Sequence, residues 1–219
     1  MFHGPFSKNL TSKIFMQNIK AIIFDLGGVL LNLDFKKVSD AFKALEIEKF
    51  DELYSQAKAD LLFENLEINK ISEEEFFDSL KKYTDKPITN EDVANAWNAI
   101  LLDFRIESLA ALKRLREKYK IFLLSNTNSI HYTQFSKIFE TTMDEKSFNS
   151  LFDKAYYSHE IGLRKPDGEA FEYVLNENNL KPEETLFIDD SIQNIEGAKR
   201  VGMLTIHLEK GMKIEDLDL

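Results

Sequence analysis

Three apolar runs in this chain end on residues that can do chemistry. Ala21-Ile22-Ile23-Phe24 runs into Asp25, Ile121-Phe122-Leu123-Leu124 into Ser125-Asn126, and Thr185-Leu186-Phe187-Ile188 into Asp189-Asp190. A fourth stretch, Gly162 to Asp167, carries Lys165 directly before Pro166. One aspartate after an apolar run is an ordinary turn former or helix cap, and Ser125 alone is an ordinary helix cap. Together the set offers carboxylates, a hydroxyl and an ammonium group, and that combination has a specific use. Asp25 and Asp190 form a hard oxygen site suited to Mg²⁺, which keeps several waters and takes a substrate phosphate oxygen. Asp25 can then attack phosphorus as a covalent nucleophile. Phosphoryl transfer needs mainly positioning and neutralisation of the equatorial oxygens. The cation, Lys165, the Ser125 hydroxyl and backbone N–H groups near Gly27 and Gly28 would supply these.

These residues must be brought together by their elements. Short apolar runs that end at turn residues read as buried parallel strands, and Lys154–Tyr157 and Met203–Ile206 are two weaker candidates of the same kind. Helical patterns lie between them, such as Leu109, Leu112 and Leu115, or Phe171, Val174 and Leu175. The alternation indicates an α/β fold with a mostly parallel, Rossmann-like sheet, whose ligands bind beyond the carboxyl ends of the strands. The stretch 35–104 breaks the alternation. It shows no convincing strand, a capping box at Ser72 and Glu75, and a helix capped by Asn90 with Val93, Ala96, Trp97, Ile100 and Leu101 on one face. The expected organisation is a core of residues 17–34 and 105–219, a helical cap domain over 35–104, and an N-terminal extension over 1–16. Met16 is a possible second start, and the extension is expected to contribute nothing to the chemistry.

Composition narrows the function. With 38 acidic against 28 basic residues the formal charge is -10, which disfavours nucleic acid and anionic membrane as partners. The absence of cysteine excludes disulfides, thiolate catalysis and sulfur-ligated metals, and fits a cytoplasmic protein. No apolar run approaches the roughly 20 residues of a membrane-spanning helix. The four histidines, His3, His131, His159 and His207, show no metal-ligand spacing and read as surface residues. Trp97 and the phenylalanines of 35–104 recur at helical spacing and read as packing. No Gly-x-x-x-x-Gly-Lys phosphate loop is present.

The segments Phe24-Asp25-Leu26-Gly27-Gly28-Val29-Leu30, Leu124-Ser125-Asn126, Arg164-Lys165-Pro166-Asp167 and Phe187-Ile188-Asp189-Asp190-Ser191 resemble the four ordered motifs of the haloacid dehalogenase superfamily. They extend over most of the chain. The resemblance implies a helical cap inserted after the first motif and a phosphatase acting on a small soluble phosphate ester selected by that cap; acidity and an amphipathic cap are compatible with a monomer or a homodimer. It implies magnesium held by Asp25, the Gly27 carbonyl and Asp190, with Asp189 beside the metal waters or Lys165. Ser125, Asn126, Lys165, Gly27 and Gly28 would bind the phosphate, and Asn194 would support the last motif.

One position departs from the family pattern. Most phosphatases of this family have a second aspartate two residues after the nucleophile, as general acid and base; here that position is Gly27. Such help is worth about 10²–10⁴ in rate. Asp34 or a residue of the cap would have to replace it, or the leaving group would have to need little protonation. Asp25 to Leu30, followed by Asn32-Leu33-Asp34-Phe35, is similar to an active subgroup that includes bacterial glucose-1-phosphate phosphatases and also has glycine there. A small sugar phosphate, such as a sugar 1-phosphate, is therefore the expected substrate. Two rival readings stand beside it: a metal-independent haloacid dehalogenase, and a non-catalytic phosphoryl-binding regulatory protein.

Overall fold

A computed structural model describes residues 18–48, 50–52, 54, 61–143 and 147–219. The expected extension over 1–16 and the start at Met16 lie outside the described residues. Five strands form one sheet in the order β5-β4-β1-β6-β7: β1 (Ala21–Phe24), β4 (Lys120–Ser125), β5 (Lys154–Tyr157), β6 (Thr185–Asp189) and β7 (Leu204–His207). Every pairing is parallel, with Ile23 registered against both Phe122 and Phe187. β1 therefore lies in the middle, and its carboxyl end is flanked by those of β4 and β6.

The sheet is buried because alternate side chains feed two cores. On one face Ile22, Phe24, Ile121, Leu123, Leu186 and Ile188 pack with Leu109 and Leu112 of α5 (Ile106–Leu115) and with Phe135 and Phe139 of α6 (Ser129–Thr142). On the other, Ile23, Phe122, Leu124 and Phe187 pack with Phe171 and Val174 of α8 (Gly168–Glu177) and with Ile195 and Ala198 of α9 (Ile192–Val201). A short helix, α7 (Ser158–Ile161), follows β5. Each fully buried Val, Leu, Ile or Phe side chain in these two cores contributes about 1.5–3 kcal/mol. No helix among the described residues is long and apolar enough to cross a membrane.

Gly197 sets the distance between α9 and the loop before α8. A Cβ there would lie 2.4 Å from the Pro166 carbonyl oxygen and 3.0 Å from the Phe171 ring. Backbone on one side and a buried ring on the other leave no room to yield. Gly197→Ala is expected to destabilise the fold by about 1–3 kcal/mol, read as a lowered urea midpoint at unchanged slope.

A third hydrophobic cluster holds the helical segment: α1 (Phe35–Ala44), α2 (Leu62–Glu67), α3 (Glu73–Lys81) and α4 (Asn90–Asn98). Phe42 stacks on Phe50 at 4.1 Å, and Phe63 on Trp97 at 5.0 Å. The Ser72–Glu75 capping box opens α3 as expected. The cap of α4 is Thr89, paired with Asp92, and not Asn90, which is already helical. Thr89 wins because its hydroxyl and the carboxylate three residues on satisfy each other's backbone donors. α4 also stops at Asn98. Leu101, expected on its apolar face, instead opens a strand, β3 (Leu101–Phe104), antiparallel to β2 (Leu31–Leu33). The expectation of no strand within 35–104 thus fails in its last four residues. A short, mainly apolar segment at the end of a helical pattern does not distinguish strand from helix, and pairing with β2 decides it. This ribbon carries the chain out to the helices and back. The helices then rest on the core through α6, where Ile130 joins their cluster and Ser129 donates a hydrogen bond to Glu73.

Candidate active site

Asp25 follows β1, and its N–H continues the ladder to the Ile188 carbonyl at 2.9 Å. The chain then turns tightly, with the Leu26 carbonyl accepting from Leu30 and Leu31 N–H and the Gly28 N–H donating to Leu31. Gly28 has φ +69°, and a Cβ on it would lie 2.0 Å from Asp190 Oδ2. Only glycine admits both that backbone and that approach. The first motif and the last are in this way pressed together.

Lys165 lies at the centre. Fully buried, its Nζ donates to Asp25 Oδ1 at 2.7 Å and to Asp189 Oδ2 at 2.8 Å. Its backbone is clamped by Asn126, whose amide donates to the Lys165 carbonyl at 2.8 Å and accepts from the Lys165 N–H at 2.9 Å. Asn126 was expected to bind phosphate; its side chain is engaged in holding Lys165. α8 begins at Gly168 with Asp167 as its N-cap, so Lys165 and Pro166 precede the helix.

The two carboxylates of the last motif have separate positions. Asp189 is fully buried and accepts from Lys165, from the Ser191 N–H at 2.7 Å and from the Asn194 amide at 3.0 and 3.2 Å. It therefore stands beside Lys165 with both oxygens occupied, supported by Asn194. Asp190 is more open, and its carbonyl accepts from His207 Nε2 at 3.0 Å. Carboxylate oxygens of Asp25, Asp189 and Asp190 lie within 4.8 Å of one another.

That crowding is costly. Burial, with Asp189 and Asp190 adding and Lys165 opposing, pushes the Asp25 carboxyl up to about 7. Burial and then Asp189 also raise Asp190. Burial alone would lower Lys165, but Asp189 and Asp25 outweigh it and keep the ammonium charged. Three carboxylates against one ammonium leave negative charge that a divalent cation would balance, and all the donors are hard oxygens. The set fits Mg²⁺.

Ser125 is buried at the end of β4 and does not cap α6; Asn128 does that. Above Ser125 and Gly27 opens a cleft of about 220 Å³ whose other wall is helical, with Glu67, Trp97 and Tyr54. Asp34, proposed from the sequence as a replacement acid, does not line this cleft; its Oδ1 caps α1 by accepting from Lys36 N–H at 2.9 Å.

His131 is half-buried at the cleft, where a surface role is expected from the sequence. It lines the cleft, stacks on Trp97 at 4.8 Å, and has ring nitrogens 3.2 Å from the Trp97 carbonyl and the Asn128 amide. Burial lowers its pKa to about 4, so it is neutral. Trp97 belongs to both the helical cluster and the cleft. Glu67 carries no signal in the sequence, and its partner Arg164 stands there only as the first residue of the third motif. Glu67 Oε2 accepts from Arg164 Nε at 3.0 Å, and Glu64 lies 3.1 Å from the same guanidinium.

A family model of haloacid dehalogenase-like hydrolases matches residues 19–202. The chain belongs to that family. This haloacid dehalogenase-like hydrolase is 32% identical to D-ribitol-5-phosphate phosphatase of Bacteroides thetaiotaomicron, over 88% of its own length and 93% of the relative's. It is 30% identical to glyceraldehyde 3-phosphate phosphatase of Methanocaldococcus jannaschii, over 91% and 89% of the two chains. Among solved structures it is similar to a haloacid dehalogenase family enzyme from Bacteroides thetaiotaomicron, crystallised as a complex with magnesium and inorganic phosphate. That similarity has a TM-score of 0.83 at 34% identity and covers 92% of this chain and 100% of the other.

Proposed function

We propose that this hydrolase is a magnesium-dependent phosphatase of a small phosphorylated sugar or polyol, working through a phosphoryl group carried on Asp25. The observation that carries the reading is the Asp25–Lys165–Asp189 chain of contacts at 2.7 and 2.8 Å, whose neighbours Leu26, Gly27 and Ser125 line a cleft of about 220 Å³. A cleft of that size suits a short carbon skeleton, and the two relatives named above are phosphatases of short polyol and aldose phosphates. Asp25, Asp190 and the Gly27 carbonyl would hold Mg²⁺, which when bound neutralises charge on the phosphate oxygens.

The chain's own groups do the rest. An Asp25 oxygen attacks phosphorus, and the resulting acyl phosphate is hydrolysed in a second step. Lys165, held by Asp189 and Asn126, offsets charge on a phosphate oxygen and keeps the Asp25 side chain oriented. The Ser125 hydroxyl and the N–H groups of the Gly27–Gly28 turn donate to the remaining oxygens. The cleft excludes water from the leaving group while the helical wall is closed.

Within this class, Gly27 favours a sugar 1-phosphate, whose anomeric oxygen leaves with little protonation. The relatives' names favour esters of primary alcohols. Phosphate release from sugar 1-phosphates, terminal sugar and polyol phosphates, nucleotides and an aryl phosphate tests the reading, each with Mg²⁺ and with chelator. Magnesium-dependent release is expected, with sugar or polyol esters preferred over nucleotides. Phosphate release that survives chelator would remove magnesium from the reading. No release by folded, magnesium-loaded protein would turn it toward phosphoryl binding.

A further inference from the structure

A primary alkoxide is a poor leaving group and needs a proton as the P–O bond breaks. The turn after Asp25 offers none. Gly27 has no side chain, and the space above it is taken, since a Cβ there would lie 2.8 Å from Leu33 Cδ1. Among the described residues, three titratable groups line the cleft over this turn: Glu67, His131 and Tyr54. His131 is neutral, with both ring nitrogens placed against partners. Burial, then Glu67, raises the Tyr54 phenol, which makes it a poorer acid. Glu67 is the one carboxylate in the set.

Resting on the reading of Asp25 as nucleophile, we infer that Glu67, reaching the cleft from the helical wall, is the acid and base of both half-reactions. In the first, the Asp25 oxygen bonds to phosphorus, the bond to the leaving oxygen breaks, and that oxygen takes the Glu67 proton. In the second, a water oxygen bonds to phosphorus while Glu67 takes its proton. The acyl-phosphate bond then breaks to regenerate the Asp25 carboxylate. The products are the alcohol and inorganic phosphate, with Glu67 again protonated.

Several features suit Glu67 to this. Its side chain is 24% exposed, so it faces the cleft without being dissolved in bulk water. Arg164 fixes one oxygen at 3.0 Å, and the residue lines the cleft. Arg164 directly precedes Lys165, so the chain that positions the ammonium also positions the carboxyl. The charged and titratable groups that face Glu67 are Arg164, Glu64, Lys165 and Tyr54. Burial outweighs Arg164 and holds Glu67 above the usual carboxylate range.

The test uses Glu67→Gln, which keeps the shape and can still accept from Arg164. Single-turnover phosphoryl transfer is measured from a polyol phosphate and from an activated aryl phosphate, whose phenolate leaves without a proton. Transfer from the polyol phosphate is expected to slow about 10²–10⁴-fold, while the aryl burst persists and only its later turnover falls. The loss of polyol-ester transfer as rising pH deprotonates Glu67 should vanish from the variant's profile. Glu64→Gln, which touches the same guanidinium outside the cleft, should leave the ratio of the two rates unchanged and only move the Glu67 titration downward. Equal slowing of the two esters, or the same loss in Glu64→Gln, would overturn the inference in favour of an ion pair that merely docks the helices. Should Glu67→Gln not fold by circular dichroism, Glu67→Asp retains the acid and should again slow the polyol ester selectively. An aryl burst that survives Asp25→Asn would instead sink the nucleophile reading, whatever Glu67 does.

Discussion

Asp25→Asn is expected to lower turnover of every phosphate ester by about 10⁴-fold or more, the scale on which removal of a covalent nucleophile acts. The substitution is isosteric, and the amide can still accept from Lys165 Nζ at the position Asp25 Oδ1 occupies, 2.7 Å away. Loss of activity should therefore come with a retained fold. Stability gives a second, independent readout. Burial first, with Asp189 and Asp190 adding, raises the Asp25 carboxyl from 3.8 to about 7 in the folded chain. The folded state then binds a proton that the unfolded state has lost, so stability contributed by this group is present below pH 4. It drains away as pH rises through 7. Thermal melts in chelator between pH 4 and 8 should show that decline in the wild type and a shallower one in Asp25→Asn. Turnover within tenfold of wild type, or identical pH slopes, would remove Asp25 from the centre of the site.

Lys165→Met should cost the metal-free protein about 3–5 kcal/mol, because it leaves two buried carboxylates without their counter-charge. Nζ is within hydrogen-bonding distance of both Asp25 and Asp189 and sits 5.3 Å over the Phe187 ring, with no exposure to water that might take its place. Methionine fills most of the volume and supplies none of the charge. In a chain of this size the loss corresponds to a midpoint lower by roughly 6–20 °C. Magnesium should return part of it, since a cation relieves the same carboxylates. Adding Asp189→Asn to Lys165→Met should also restore stability, giving a coupling energy well above the roughly 0.5 kcal/mol scatter of independent sites. Additive effects of the two substitutions would mean that the ammonium stabilises the loop by packing alone.

Three apolar runs ending on chemical residues were enough to place Asp25, Ser125 and the Asp189–Asp190 pair. In a parallel sheet the burial of both faces forces unbroken apolar strands, and their carboxyl ends are where the chain is released into loops. Lys165 was legible from its neighbour Pro166 and its order after Ser125. The double glycine marked the turn, and the reason for Gly28, the approach of Asp190, is a long-range contact between residues more than 160 positions apart.

What the linear order could not express was anything set by packing between the helices and the core. Asn126 is spent on the Lys165 backbone, and Asp189 is held by Ser191 and Asn194 while Asp190 stays open. His131 is stacked on Trp97. The strand Leu101–Phe104 exists only because Leu31–Leu33 lies beside it. Glu67 is the sharpest case. In sequence it is one acid on a short amphipathic helix, indistinguishable from Glu64. It becomes a candidate acid only when the helical wall closes over β1 and β4 and sets it against Arg164, where the cleft replaces bulk water. Periodicity and motif order report how a chain pairs and buries itself locally. The environment that gives a carboxyl its function comes from surfaces far apart in sequence, and only the folded chain brings those together.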